Sequence, residues 1–173
     1  MPKLGSIRDK EEYAAILRMF YGFFHPLEKD IARYITPSIL EDIGSRRTAS
    51  LVLTDLKALG LRTYPLDLCT HLPVIDSAPT ALGALYVLEG STLGGRVIMK
   101  MLLRQPGTPL RPEHLNFFAG YGEETGPKWT ALVSVLNQWE HESATIVEAA
   151  DQTFQCLSRW MGQTLYNGPE NKL

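Results

Sequence analysis

ALGALYVLEGSTLGGRVIMKMLL, residues 81 to 103, has the composition of a buried helix yet holds glycine at positions 83, 90, 94 and 95. Each glycine inside a helix costs about 1 kcal/mol relative to alanine. A cluster of four implies a contact that only bare backbone permits. At about 100° per residue, Gly90 falls within about 20° of Gly83 and Gly94 about 40° beyond Gly90, so three of them share one stripe. Two readings fit: a platform against which a large flat molecule lies, with freedom for the helix to bend over it, or a groove into which another helix packs. A membrane dimerisation face is excluded, because Glu89, Arg96 and Lys100 break the apolar run before spanning length.

Outward from this stretch, Ser77 is placed to cap the helix, with Pro79 in its first turn, and Pro106-Gly107 lies beyond its end. Upstream, Tyr13, Ile16, Leu17, Phe20, Phe24, Leu27 and Ile31 recur at three- and four-residue steps, so a helix runs from a cap at Asp9. Pro26 lacks a backbone donor, and a kink or break is expected near Phe23 to His25. Thr36-Pro37-Ser38 restarts the chain into a short helical segment ending at Gly44. Residues 46 to 59 read as a helix with Leu51, Leu53, Leu56 and Leu59 inward and Gly60 as its stop. Arg46, Arg47 and Asp55 are expected on its solvated face.

Three prolines between Leu61 and Thr80 predict a loop, with one helical turn near Leu66 to Cys69. A short helix over 112–118, a turn over 120–127 and helices over 128–139 and 142–165 complete the chain. The last carries Ile146, Ala149, Ala150, Thr153, Phe154, Leu157, Trp160 and Met161 on one face, and a frayed tail follows Tyr166. No run alternates with period two, so no sheet is expected.

The chain has 173 residues, 45% of them apolar and 21% charged, which suits one globular domain spanning 1–173. A net charge of −2 without a basic run gives no footprint for nucleic acid or a membrane surface. Four charges between Arg8 and Glu11 precede any apolar stretch, so no secretory leader is expected and the cytoplasm is the expected compartment. Cys69 and Cys156 lack metal or redox spacing and are expected as reduced core thiols.

Tyr86-Val87-Leu88-Glu89-Gly90-Ser91-Thr92-Leu93-Gly94-Gly95 resembles the distal helix of heme oxygenases, in the bacterial form associated with phytochromes. Further blocks carry the likeness over most of the chain from Tyr13. Residues 20–28 resemble the family's second helix, Arg46-Arg47 with Asp55-Leu56 another block, and Phe154 to Met161 the last helix. The resemblance implies an all-α, single-domain heme oxygenase-like helical bundle. It also implies oxidative opening of heme, as substrate and cofactor, to biliverdin, carbon monoxide and iron, with electrons from an external ferredoxin-type donor and a phytochrome as recipient of the product.

By the same resemblance Gly90, Ser91, Gly94 and Gly95 form the distal wall of the heme site. Ser91 stands where many members have an aspartate, so its hydroxyl is expected to order the water network. The family's proximal histidine lies on a first helix preceding the block matched by Tyr13 to Glu28. Only twelve residues precede Tyr13, none of them histidine, and no metal ligand is found at the family position. His25 is weighed as a substitute axial ligand against a half-exposed histidine beside Pro26; His71, His114 and His141 are expected at the surface.

The letters exclude other metal chemistry. No glutamate has histidine three positions later, as a di-iron bundle requires, and no His-Glu-x-x-His occurs. Gly94-Gly95 follows no strand and is no phosphate loop. Cys156 lacks a nucleophile motif. Arg96, Lys100 and Arg104 form a basic stripe expected to point away from the glycines, as solvated charge or a docking face for an acidic reductant. Two functions stay open: the biliverdin-forming oxygenase, and a non-catalytic relative that binds heme or biliverdin or other proteins and dimerises through an open proximal side.

Overall fold

The computed structural model describes residue 7 and residues 9 to 166, and the expected frayed tail lies outside them. Six helices follow one another: α1 (Lys10–Ile31), α2 (Ser50–Ala58), α3 (Ala78–Leu103), α4 (Asn116–Ala119), α5 (Thr125–Gln138) and α6 (Ser143–Tyr166). No strand occurs among the described residues, as the missing period-two pattern predicts. The axis is α3, which touches α1, α4, α5 and α6. Its start is fixed as the sequence suggests: the Ser77 hydroxyl accepts from the Thr80 N–H, and the Ser77 N–H donates to the Thr80 hydroxyl at 3.0 Å.

The core gathers Tyr13, Leu17, Phe24 and Leu27 of α1, Leu82 of α3, Phe117 of α4 and Leu132 of α5, all at most 1% exposed. Phe20, Phe24, Phe117 and Phe118 meet edge to face or tilted at centroid distances of 5.4 to 5.7 Å. Each such ring contributes about 1.5–3 kcal/mol by leaving water.

Pro26 does not break α1, which runs without interruption through it. An uninterrupted ladder would bond the N–H of residue 26 to the carbonyl of Gly22, and proline has no N–H. The Cys69 N–H takes that acceptor instead, at 2.8 Å. The vacancy is filled from the 61–77 loop, so the helix keeps its course. Gly22 also lets both neighbours in: a Cβ there would lie 2.5 Å from the Asp67 carbonyl oxygen and 2.6 Å from Trp160. Trp160 in turn donates its indole N–H to the Met19 carbonyl at 2.8 Å.

Several boundaries differ from expectation. Residues 37–42 form turns, with a 3-10 turn at Ile43–Ser45, and no α-helix forms there. α2 starts at Ser50 rather than at residue 46, and within it Val52, Asp55 and Leu56 are the buried positions. The 61–77 loop has no helical turn near Cys69, and its Tyr64-Pro65 peptide bond is cis. Residues 112–118 split into a 3-10 turn and α4. α5 begins three residues early, with Pro127 in its first turn.

Candidate functional site

The four glycines of α3 do different work. Gly83 abuts α6: a Cβ there would collide with the Ile146 carbonyl oxygen and come 2.8 Å from the Ala149 Cβ. Gly95 abuts α4, where the same atom would collide with the Phe118 carbonyl oxygen. Both serve close helix packing. The continuous stripe expected from Gly83 to Gly94 is therefore cut short at its N-terminal end. Gly95 leaves the proposed wall as well, because it lies about 100° around the helix from Gly94 and faces the core.

Gly94 is open, and Gly90 has room for a side chain against Trp129. A Cβ on Gly90 meets only Trp129, at 3.7 Å, and one on Gly94 meets nothing within 4 Å. Beside them Tyr86, Leu93, Val97 and Met101 are 37%, 45%, 69% and 37% exposed. These six residues fall within an arc of about 100°. The result is one apolar, solvent-facing track with bare backbone along it. Arg96 is turned away from it, as expected, but Lys100 and Arg104 are not: each lies within about 20° of Leu93 or Val97 in azimuth, at the edge of the track, because a four-residue step drifts about 40°. All three cations are exposed.

Behind the track lies a buried charge cluster. Arg46, 6% exposed, donates to Glu89 at 2.6 Å, to Asp42 at 2.9 Å and to the Lys128 carbonyl at 2.9 Å. Lys128 closes the ring by donating to Asp42 at 2.9 Å. Tyr121 donates its hydroxyl to Glu89 at 2.8 Å and accepts from the Arg47 N–H at 2.7 Å. The Arg47 guanidinium stacks over the Phe117 ring, 4.4 Å from its centroid. It donates to the Leu88 carbonyl at 2.9 Å and to the Ser91 hydroxyl at 2.7 Å. Ser91 gives its own hydrogen to the Leu88 carbonyl at 2.6 Å. The hydroxyl expected to order water is thus held from behind by an arginine.

Burial sets the titration of this cluster. It pushes the Tyr121 phenol up, with the Glu89 charge adding to the rise, and it lowers the pKa of Arg47 against the pull of Glu89 and Glu28. Glu28 caps the start of α2 by accepting from the Ala49 N–H at 2.8 Å, and burial lifts its carboxyl to about 7. Asp55, wholly buried, accepts from the Asn116 and Phe117 N–H groups at 2.9 Å and so caps α4. The expectation of a solvated face for Arg46, Arg47 and Asp55 is corrected: their partners come from α3, α4 and α5, far along the chain. The signal for them was Glu89, a lone carboxylate inside an apolar helix, which requires a cation.

Histidine placement is mixed. His25 is half-buried and stacks on Tyr21 at 4.7 Å; His71 and His141 are exposed. His114, expected at the surface, is buried, and its Nδ1 accepts from the Arg111 N–H at 3.1 Å, closing the 3-10 turn. No histidine borders Gly90 or Gly94. Among the described residues no group of three or more His, Cys, Asp or Glu side chains is placed to hold a metal, and no helix is long and apolar enough to cross a membrane.

No family model matches the chain, and no solved structure does. A protein of Xanthomonas campestris pv. campestris (strain 8004) named heme oxygenase is 30% identical over 142 residues, covering 82% of this chain and 81% of that protein. With the helical architecture above and identity sustained across four fifths of both chains, this chain belongs to the heme oxygenase family.

Proposed function

We propose that the protein binds heme flat against the Gly90–Gly94 track of α3 and opens it oxidatively to biliverdin, carbon monoxide and iron. The observation that carries the reading is the open glycine pair. Two positions without side chains, flanked by Leu93, Val97 and Tyr86, admit a planar apolar macrocycle to backbone distance. Lys100 and Arg104, at the edge of the track, supply cations for the ring's carboxylates. The distal residues fit the group.

None of His25, His71, His114 and His141 is assigned as a ligand to iron. Heme, when bound, supplies the redox-active iron and the carbon skeleton that is cleaved. The chain's own contribution is steric and polar. Gly90 and Gly94 keep the space above the ring low, Leu93 and Val97 exclude water, and Ser91 offers one hydroxyl oxygen beside them. The carboxylate next in sequence to Gly90, that of Glu89, is committed to Arg46 and Tyr121. An external reductant of the ferredoxin type and a phytochrome recipient complete the proposal, in the cytoplasm.

The exposure of Leu93 and Val97 favours a second reading, a relative that holds heme or biliverdin without turnover and pairs with another copy through its open face. Hemin titration separates the two. A coordinated ferric Soret band, followed by biliverdin absorption after reductant and oxygen, supports the oxygenase. A pigment bound without turnover supports the second reading, and no binding at all sinks both.

A further inference from the structure

We infer that Arg47 is a positioning residue which fixes the Ser91 hydroxyl as a pure hydrogen-bond acceptor beside the glycine track. The inference rests on the reading that Gly90 and Gly94 face heme, and it adds a residue from outside α3 to that site.

A serine hydroxyl has one hydrogen and two lone pairs. Its hydrogen goes to the Leu88 carbonyl at 2.6 Å, and one lone pair receives Arg47 Nη2 at 2.7 Å. One lone pair is left. Arg47 Nη2 has two hydrogens, and the second goes to the Leu88 carbonyl at 2.9 Å. Arginine, serine and carbonyl therefore form a closed triangle in which the hydroxyl cannot turn. A water or ligand group that touches Ser91 has to donate to it.

Arg47 is itself held on every side. Nη1 donates to the Phe117 carbonyl at 3.3 Å, and Phe117 and Phe24 take the guanidinium at 4.4 and 5.5 Å from their ring centroids. The Arg47 N–H donates to Tyr121, whose own hydroxyl is committed to Glu89, which Arg46 holds. Lysine retains the charge but cannot bridge two acceptors from one planar nitrogen while stacked between rings. Arg47→Lys thus removes the geometry and keeps the cation.

The test uses the whole chain in three variants, R47K, S91A and the double substitution, first without heme. Loss of a charged hydrogen bond at a buried site speeds local exchange on the order of tenfold. R47K is expected to raise amide exchange by that factor in residues 88–95 and to leave α6 unchanged; equal rates in 88–95, or a rise spread over all helices, overturns the inference. Should R47K fail to fold, S91A decides: the Arg47 guanidinium hydrogens, protected in the parent, exchange faster, and unchanged protection overturns it. With hemin bound, the pH midpoint of the ferric Soret change is expected to shift alike in R47K and S91A, with no further shift in the double variant. Additive shifts overturn the inference. Failure of hemin to bind overturns the heme reading instead, and the exchange arm still judges Arg47.

Discussion

Alanine at the two adjacent glycines of α3 should move stability in opposite directions. In Gly94→Ala the new methyl enters open space, with no heavy atom within 4 Å, so the helix gains about 0.5–1 kcal/mol from propensity alone. In Gly95→Ala it meets the Phe118 carbonyl oxygen, with the carbonyl carbon 3.2 Å away. Both atoms are backbone, so no rotamer relieves the contact and α4 has to withdraw. Overpacking of this kind costs about 1–3 kcal/mol, against at most about 1 kcal/mol of propensity. Propensity is gained at both sites and cancels between them, so the two variants should differ by roughly 1–3 kcal/mol, or roughly 2–12 °C in melting temperature for a chain of this size. Thermal and urea unfolding of the parent and both variants read this directly. G94A, although the more stable protein, should bind hemin more weakly, because its methyl lifts the ring off the backbone. A G95A protein melting at or above the parent, or a G94A protein melting below it, refutes the division of the glycines into packing and open positions.

Two further outcomes follow from the buried charges. Glu28 is protonated more readily in the fold, at about 7, than in the unfolded chain at about 4.3. Between those values the unfolded state releases the proton first, so this group's contribution falls as pH rises through the window and levels off above it. E28Q, which can still accept from the Ala49 N–H, should flatten that fall in urea midpoints measured from pH 5 to 7.5; an unchanged slope removes Glu28 as its source. Arg46→Ala leaves Glu89 buried without its cation, at 3% exposure, and should cost about 3–5 kcal/mol by chemical denaturation. Arg18→Ala breaks an exposed pair with Glu11 and should cost under about 1 kcal/mol; equal losses for the two would deny the burial of the Arg46 cluster.

Most helices were legible because their reasons are local. The three- and four-residue recurrence of Tyr13, Leu17, Phe20, Phe24 and Leu27 marks α1, and Ser77 with Thr80 marks the start of α3. What stayed hidden depends on partners distant in sequence. Arg46 reads as solvated until Glu89, 43 positions on, is brought to it. Helical azimuth puts Gly83 on one line with Gly90 and Gly94, yet azimuth does not say that α6 covers one end of the line only. For the site, the open pair Gly90 and Gly94 and the hydroxyl of Ser91 were within reach of the letters. Arg47 was not, since its role comes from three acceptors on two other helices.

The proline inside α1 has a meaning that reaches past its own helix. By withholding one hydrogen it leaves the Gly22 oxygen as an address on an otherwise self-satisfied rod, and the Cys69 amide is the visitor that finds it. Restoring a full ladder with Pro26→Ala would set an internal rival against that visitor. The strap of chain leading into α3 would then lose an anchor, although no residue of the strap had been touched.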